Sequence, residues 1–111
     1  MTYEERRKQK TVLDFNNRMD NLIVLNPTIV AYIKAKFVEA DVRLTKLFAT
    51  QSSLPEPAHI SHPGESEYYL EYFEVKTQLE ALNIFSKSFV ERIHSDFYQL
   101  VHSCYRLSNP S

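Results

Sequence analysis

The chain contains a single glycine, Gly64, among its 111 residues, where average usage would give about eight. Glycine supplies the positive φ angles that tight turns need, so a turn-rich β-sandwich or barrel is not expected. One glycine also cannot provide the G-x-G-x-x-G or G-x-x-x-x-G-K-[ST] loops that cradle phosphates. The sequence therefore predicts an all-α protein and excludes the common nucleotide-binding folds.

The size and charge of the chain indicate one domain, residues 1–111, with no global preference for a polyanion. Its mass is 13.1 kDa and its formal net charge is −1, so nothing overall calls for nucleic acid or an anionic membrane. Residues 1–51 carry a net charge of +3 and residues 52–83 a net charge of −5. This asymmetry predicts helices of opposite sign packed together, and an oriented partner surface is the alternative interpretation.

The single cysteine and the charged N-terminus indicate a cytoplasmic protein. Cys104 alone excludes an intramolecular disulfide. The first residues are charged and no apolar stretch follows them, so a signal peptide is not expected. The longest apolar run, residues 22–25, is far short of the roughly 20 residues that span a bilayer. We expect no membrane association.

Residues 1–50 are predicted to form an antiparallel helical hairpin. Thr2 and Glu5 have the spacing of a capping box at the start of the first helix. Asn26 and Pro27 separate the helices, because a residue before proline avoids the α region and proline suits a first helical position. The second helix, from about Pro27 to Thr50, carries an apolar seam with spacings of three and four residues: Val30, Ile33, Phe37, Ala40, Leu44 and Leu47.

Residues 51–63 contain three of the five prolines and no helical period, which predicts the main loop. Residues 64–107 are predicted to be helical, because an apolar stripe with a helical period runs from Tyr68 to Leu107. A continuous helix there would be about 60 Å long. A break near residues 83–88 is the alternative, with Ser88 and Glu91 forming a second capping box. The architecture is therefore an antiparallel bundle of three helices or of four.

The candidate catalytic and metal-ligating residues do not assemble a site. Glu91 and His94 have the i, i+3 spacing of di-iron bundles, but such a centre needs a second helical pair and two more glutamates. The histidines at positions 59, 62, 94 and 102 have no spacing typical of structural zinc. Cys104 lies on the apolar stripe without a positioned base. We expect a non-enzymatic protein without a metal or cofactor.

Surplus aromatic and apolar side chains point to a protein partner. Four aromatic residues among positions 68–73 cover more than one helical face, and such residues are enriched at interface cores. The leading hypothesis is a non-catalytic interaction module (an adaptor, chaperone-like factor, inhibitor or assembly subunit) that forms a homodimer and binds another protein. The predicted interface consists of Tyr69, Phe73, Val90, Tyr98, Val101 and Tyr105.

A basic run on the first helix supports an alternative function, that of a nucleic-acid-binding accessory factor. A positive helix can follow a phosphate backbone in a salt-sensitive way. Acidic residues interleave with the run, which favours a solvated, salt-bridged surface instead. The candidate contacts are Arg6, Arg7, Lys8, Lys10 and Arg18.

The seam of the second helix yields a stability prediction. Phe37, Leu44, Leu79, Leu82 and Phe89 are expected to be nearly buried. Leu44→Ala removes a core side chain and leaves a cavity, so it is expected to lower the free energy of unfolding by about 2–5 kcal/mol in urea denaturation. A loss below about 1 kcal/mol would show that the second helix is wrongly phased.

Overall fold

The computed structural model describes residues 2–23, 26–51, 54, 56–57 and 67–109. Within these residues the chain forms four α-helices: α1 (Tyr3–Leu22), α2 (Pro27–Thr50), α3 (Leu70–Leu82) and α4 (Lys87–Ser108). A 3₁₀ turn, Glu67–Tyr69, leads directly into α3. The predicted all-α bundle is confirmed. The predicted loop at residues 51–63 lies outside the described residues except at positions 51, 54, 56 and 57.

Helices α2 and α4 form the centre of the bundle. α1 packs against both of them on one side, and α3 packs against both on the other. The described part of the molecule measures 41 × 32 × 20 Å, so the bundle is flat in one dimension. Each helix therefore has a face turned to the core and a face turned to solvent.

Side-chain caps place the beginnings of α1 and α2 where the sequence predicts them. The Thr2 hydroxyl accepts a hydrogen bond from the Glu5 backbone N–H at 3.2 Å. Asn26 Oδ1 accepts one from the Ile29 N–H at 3.2 Å, and Pro27 occupies the first helical position of α2. Each cap satisfies a backbone donor that has no partner within the helix. The starts of α1 and α2 are thus set by local chemistry.

The continuous C-terminal helix is wrong, and the alternative with a break near residues 83–88 is correct. Asn83 ends α3 in the left-handed conformation, with φ 53° and ψ 34°, a geometry that asparagine tolerates better than most residues. Ser86 then caps α4, its hydroxyl accepting from the Phe89 N–H at 3.1 Å. The predicted capping box at Ser88 is therefore wrong, and a single serine cap two residues earlier starts the helix.

The core is built around Phe37 of α2. Its ring stacks on Phe15 of α1, with centroids 3.8 Å apart, and meets Phe97 of α4 edge-on at 5.5 Å. Phe37, Leu44 and Leu79 are buried as predicted. The prediction is wrong for Leu82, which is exposed at the end of α3, and for Phe89, which is half-buried in the first turn of α4. Both residues lie beside the break, where the helices leave the core.

A buried ion pair ties α2 to the start of α3. Arg43 Nε and Nη2 donate to the two carboxylate oxygens of Glu71 at 2.7 and 2.8 Å, and Nη2 also donates to the Tyr68 carbonyl at 3.3 Å. Such two-pronged contacts fix geometry as well as charge. Because Glu71 is buried, losing Arg43 would strand a carboxylate away from water.

The two serines near the break allow a matched test of the fold. Ser86→Ala removes the observed cap of α4 and is expected to lower the free energy of unfolding by about 1 kcal/mol. Ser88→Ala is the control, because Ser88 is exposed and already inside the helix. Chemical denaturation monitored by circular dichroism measures both variants. A larger loss in Ser88→Ala would contradict the observed start of α4.

Candidate interaction surfaces

Two of the six predicted interface residues are not on the surface. Tyr69 is 2% exposed and Val101 is 1% exposed, so the expectation that both lie on a partner-binding surface is wrong. The 3₁₀ turn at residues 67–69 rotates successive residues differently from an α-helix, and it brings both Tyr68 and Tyr69 into the interior. Burial raises the pKa of the Tyr69 hydroxyl well above its usual range.

The other four predicted interface residues are half-buried and pack against the core. Tyr105 meets Phe48 edge-on, with ring centroids 5.5 Å apart. Tyr98 stacks on His102 at 6.0 Å, and Phe73 contacts Tyr72 at 5.3 Å. Val90 lines an open groove of about 580 Å³ between α3 and α4. These side chains are therefore largely occupied within their own chain.

The solvent-facing side of α2 carries a second seam, whose residues are not among those predicted from the sequence to bind a partner. We call this set of seven residues the outer seam. Its members are spaced by three and four residues in strict alternation, and each of them is exposed. None is charged. The outer seam consists of Thr28, Ala31, Ala35, Val38, Val42, Thr45 and Ala49.

The outer faces of α1 and α2 differ in composition. The exposed positions of α1 include Tyr3 and Leu13, but half of them are charged, among them Glu5, Lys10 and Asp20, as expected of a helix that meets water on that side. The exposed positions of α2 include Val38 and Val42, the latter 67% exposed. The outer seam could have been recognised in the sequence, because its residues repeat at spacings of three and four within the same segment as the core seam.

The basic residues of α1 do not form one surface. Lys8 points toward α2, where its Nζ lies 2.6 Å from Asp41 Oδ1. Arg7, Lys10 and Arg18 instead line a groove between α1 and α4, while Arg6 is exposed outside it. The structure thus brings three of the five candidate cations together and separates Lys8 from them.

The α1–α4 groove, which we call the basic groove, has a volume of about 370 Å³. From α1 it is lined by Arg7, Lys10, Thr11, Asp14 and Arg18, and from α4 by Arg92, Ser95, Asp96 and Gln99. Arg18 forms an ion pair with the buried Asp96 across the groove. The pKa of the Arg18 guanidinium is lowered, first by burial and then by the nearby charge of Arg92. Arg92 was missed in the sequence because it lies on the other helix.

Cys104 is a buried thiol in contact with α2. Its Sγ lies 3.9 Å from Thr45 Oγ1, and the thiol donates toward Asp41 Oδ1 at 3.7 Å. Burial raises the pKa of Cys104 to about 11, so the thiol is protonated at neutral pH. A nucleophilic cysteine needs the opposite shift, because the thiolate is the reactive form.

The histidines considered as metal ligands do not form a cluster in the described part of the chain. Burial lowers the pKa of His102, and the positive charge of Arg106 adds to this effect. His59 and His62 lie outside the described residues. Among residues that the structure describes, no three His, Cys, Asp or Glu side chains are grouped to hold a metal ion. None of the described helices combines the length and apolar composition needed to cross a bilayer.

Comparison with known proteins returned no similar protein. No protein-family model matches the chain, and neither the curated protein sequences nor the solved structures contain a match.

The raised pKa of Cys104 predicts an unreactive thiol. At pH 8 the native protein is expected to react with a disulfide reagent such as DTNB roughly a hundredfold more slowly than the unfolded chain, since a two-unit pKa shift lowers the thiolate fraction by that factor. The folded pKa is raised, so this thiol contributes stability below about pH 9 and loses it as the pH rises toward 11. Equal reaction rates for native and urea-unfolded protein would contradict the buried position.

Proposed function

We propose that the protein is a non-catalytic interaction module that self-associates through the outer seam of α2. The main support for this proposal is the row of seven exposed, uncharged side chains at alternating spacings of three and four residues. This spacing keeps one face of a helix turned toward a partner helix along its whole length. The core seam of α2 is already covered by the other helices of the chain.

The composition of the outer seam suits a second helix better than it suits water. Val38 and Val42 supply apolar area at its middle, and alanine or threonine at the other positions allows close approach of two helix axes. Pairing would remove the two valines from water at roughly 25 cal/mol per Å² of apolar area buried. A second copy of the same chain offers the same surface about a two-fold axis.

The charges beside the outer seam indicate how two copies would be oriented. If the outer seam takes positions a and d of a heptad, Lys34 and Asp41 take position g, on the side toward α1. Glu39 and Lys46 take position e, on the other side. In a parallel pair, each flanking residue faces the residue five positions later on the second helix. Lys34 then meets Glu39 of the second copy, and Asp41 meets Lys46. All of these pairs are attractive.

The proposal places the dimer interface on α2 and not on the C-terminal segment. Of the six residues predicted at the interface in that segment, two are buried and four pack against the core of their own chain. The four-helix bundle has α4 packed against α1, α2 and α3. The homodimer is thus retained as the proposed state, with different residues at its interface.

The alternative, a nucleic-acid-binding accessory factor, receives less support from the geometry. Lys8 is held by Asp41, and Asp14 and Asp96 lie among the cations of the basic groove. Each carboxylate offsets one cation, which weakens the attraction for a phosphate backbone that follows α1 along its length. Strong, salt-sensitive binding of an oligonucleotide that is lost with Arg6, Arg7 and Lys10 would favour this alternative.

The outer seam is tested by a substitution with a matched control. Val42→Glu places a charge in the seam and is expected to convert a dimer of twice the 13.1 kDa chain mass into a monomer, as measured by light scattering on a sizing column. Ile84→Glu is the control, because Ile84 is equally exposed, at 67%, but lies in the α3–α4 turn. It is expected to remain dimeric.

A charge exchange tests the orientation. The double variant Glu39→Lys with Lys46→Glu keeps the net charge but turns the facing pairs of a parallel dimer into like charges, so its dissociation constant is expected to rise. An antiparallel pair would keep Glu39 and Lys46 facing each other after the exchange, and its affinity would not change. A wild-type mass of one chain at high loading concentration would overturn the proposal.

A further inference from the structure

The basic groove has more positive charge than its own carboxylates neutralise. Four cationic side chains and two carboxylates line it, leaving a net charge of +2. In the described part of the chain, ion pairs of Arg7, Lys10 and Arg92 are not observed. Arg18 and Arg92 repel each other across the groove. An anion between them would relieve that repulsion.

The Arg18–Asp96 ion pair neutralises one cation and one carboxylate of the groove. Asp96 is 5% exposed, and one of its oxygens accepts from Arg18 Nη2. Asp96 Oδ2 and Arg18 Nε are both buried and have no hydrogen-bond partner among the described residues. Neither atom is accessible from the groove, so a ligand there would meet the exposed cations Arg7, Lys10 and Arg92 instead.

The lining side chains restrict the chemistry of a ligand. Thr11, Ser95 and Gln99 add neutral donors and acceptors, which suit hydroxyl groups. The lining set contains no aromatic side chain, so a nucleobase would find nothing on which to stack. The volume of about 370 Å³ lies at the small end of ligand pockets.

We propose that the basic groove binds a small phosphate monoester that carries hydroxyl groups, of the sugar-phosphate class. Its phosphate, with a charge of about −1.5 to −2 at pH 7, contacts Arg7, Lys10 and Arg92. Hydroxyl groups of the ligand contact Thr11, Ser95 and Gln99. The basic groove shares no residue with the outer seam, so the proposal of phosphate binding is independent of the proposal of self-association.

Glycerol 3-phosphate is the probe, because it combines a phosphate with two hydroxyl groups. Isothermal titration calorimetry on the full chain is expected to show saturable binding. Inorganic phosphate is expected to bind more weakly and glycerol not measurably. Arg92→Gln is expected to weaken glycerol 3-phosphate binding by about tenfold or more, the usual loss for one charge-assisted hydrogen bond. Arg92 is exposed, so the variant is expected to keep the wild-type helicity.

Arg6→Gln is the matched control, since Arg6 lies on the same end of α1 as Arg7 but outside the groove. It is expected to retain wild-type affinity. Equal weakening in both variants would show general charge attraction and overturn the proposal. No saturable binding at millimolar probe, or equal affinity for inorganic phosphate, would also overturn it. A single-stranded oligonucleotide that binds where glycerol 3-phosphate does not would assign the groove to nucleic acid instead.

Discussion

The position of Phe37 determines how the other helices can be arranged. Its ring touches Phe15 of α1 and Phe97 of α4, and Phe97 in turn meets Tyr72 of α3 at 6.0 Å. One connected aromatic cluster therefore joins all four described helices. Because Phe37 must face inward, the rotation of α2 about its own axis is fixed, and the residues on the opposite side must face outward. The outer seam is exposed for this reason.

Ion pairs add specificity to this apolar core. Arg43 and Glu71 tie α2 to α3, and Arg18 and Asp96 tie α1 to α4. A buried pair contributes little net stability, since desolvation offsets most of the attraction. It penalises alternative arrangements, however, because a shifted helix would leave Glu71 or Asp96 buried without a cation. Helix α4 is therefore constrained against α1 by charge and against α2 by packing.

The sequence predicted the parts of the fold that depend on local chemistry. Asn26 and Pro27 mark a helix boundary, and the core seam of α2 has a clear period. The break at Asn83 was left open because the apolar stripe keeps its phase across it, and asparagine at that position is compatible with a helix or a turn. The burial of Tyr69 was not predictable from a helical period, since it depends on a 3₁₀ turn.

The candidate sites differ in how far the sequence could reveal them. The outer seam is a repeat within one helix, so counting both faces of α2 would have found it. The basic groove combines Arg7 and Lys10 with Arg92, more than eighty residues later in the chain. Only the packing of α4 against α1 brings them together. The same packing directs Lys8 away from the groove, although its sequence position suggested a role equal to that of its neighbours.

Asp41 connects the proposed interface to the rest of the bundle. It flanks the outer seam, and within its own chain it pairs with Lys8 of α1 and accepts a hydrogen bond from the Cys104 thiol of α4. The carboxylate is thus fixed before any second copy arrives, which lowers the entropy lost when Lys46 of that copy approaches it. Pairing through α2 would place a second cation on a carboxylate already bound to α1. Since the groove residues lie elsewhere on α1 and α4, this pairing leaves the groove open to a ligand.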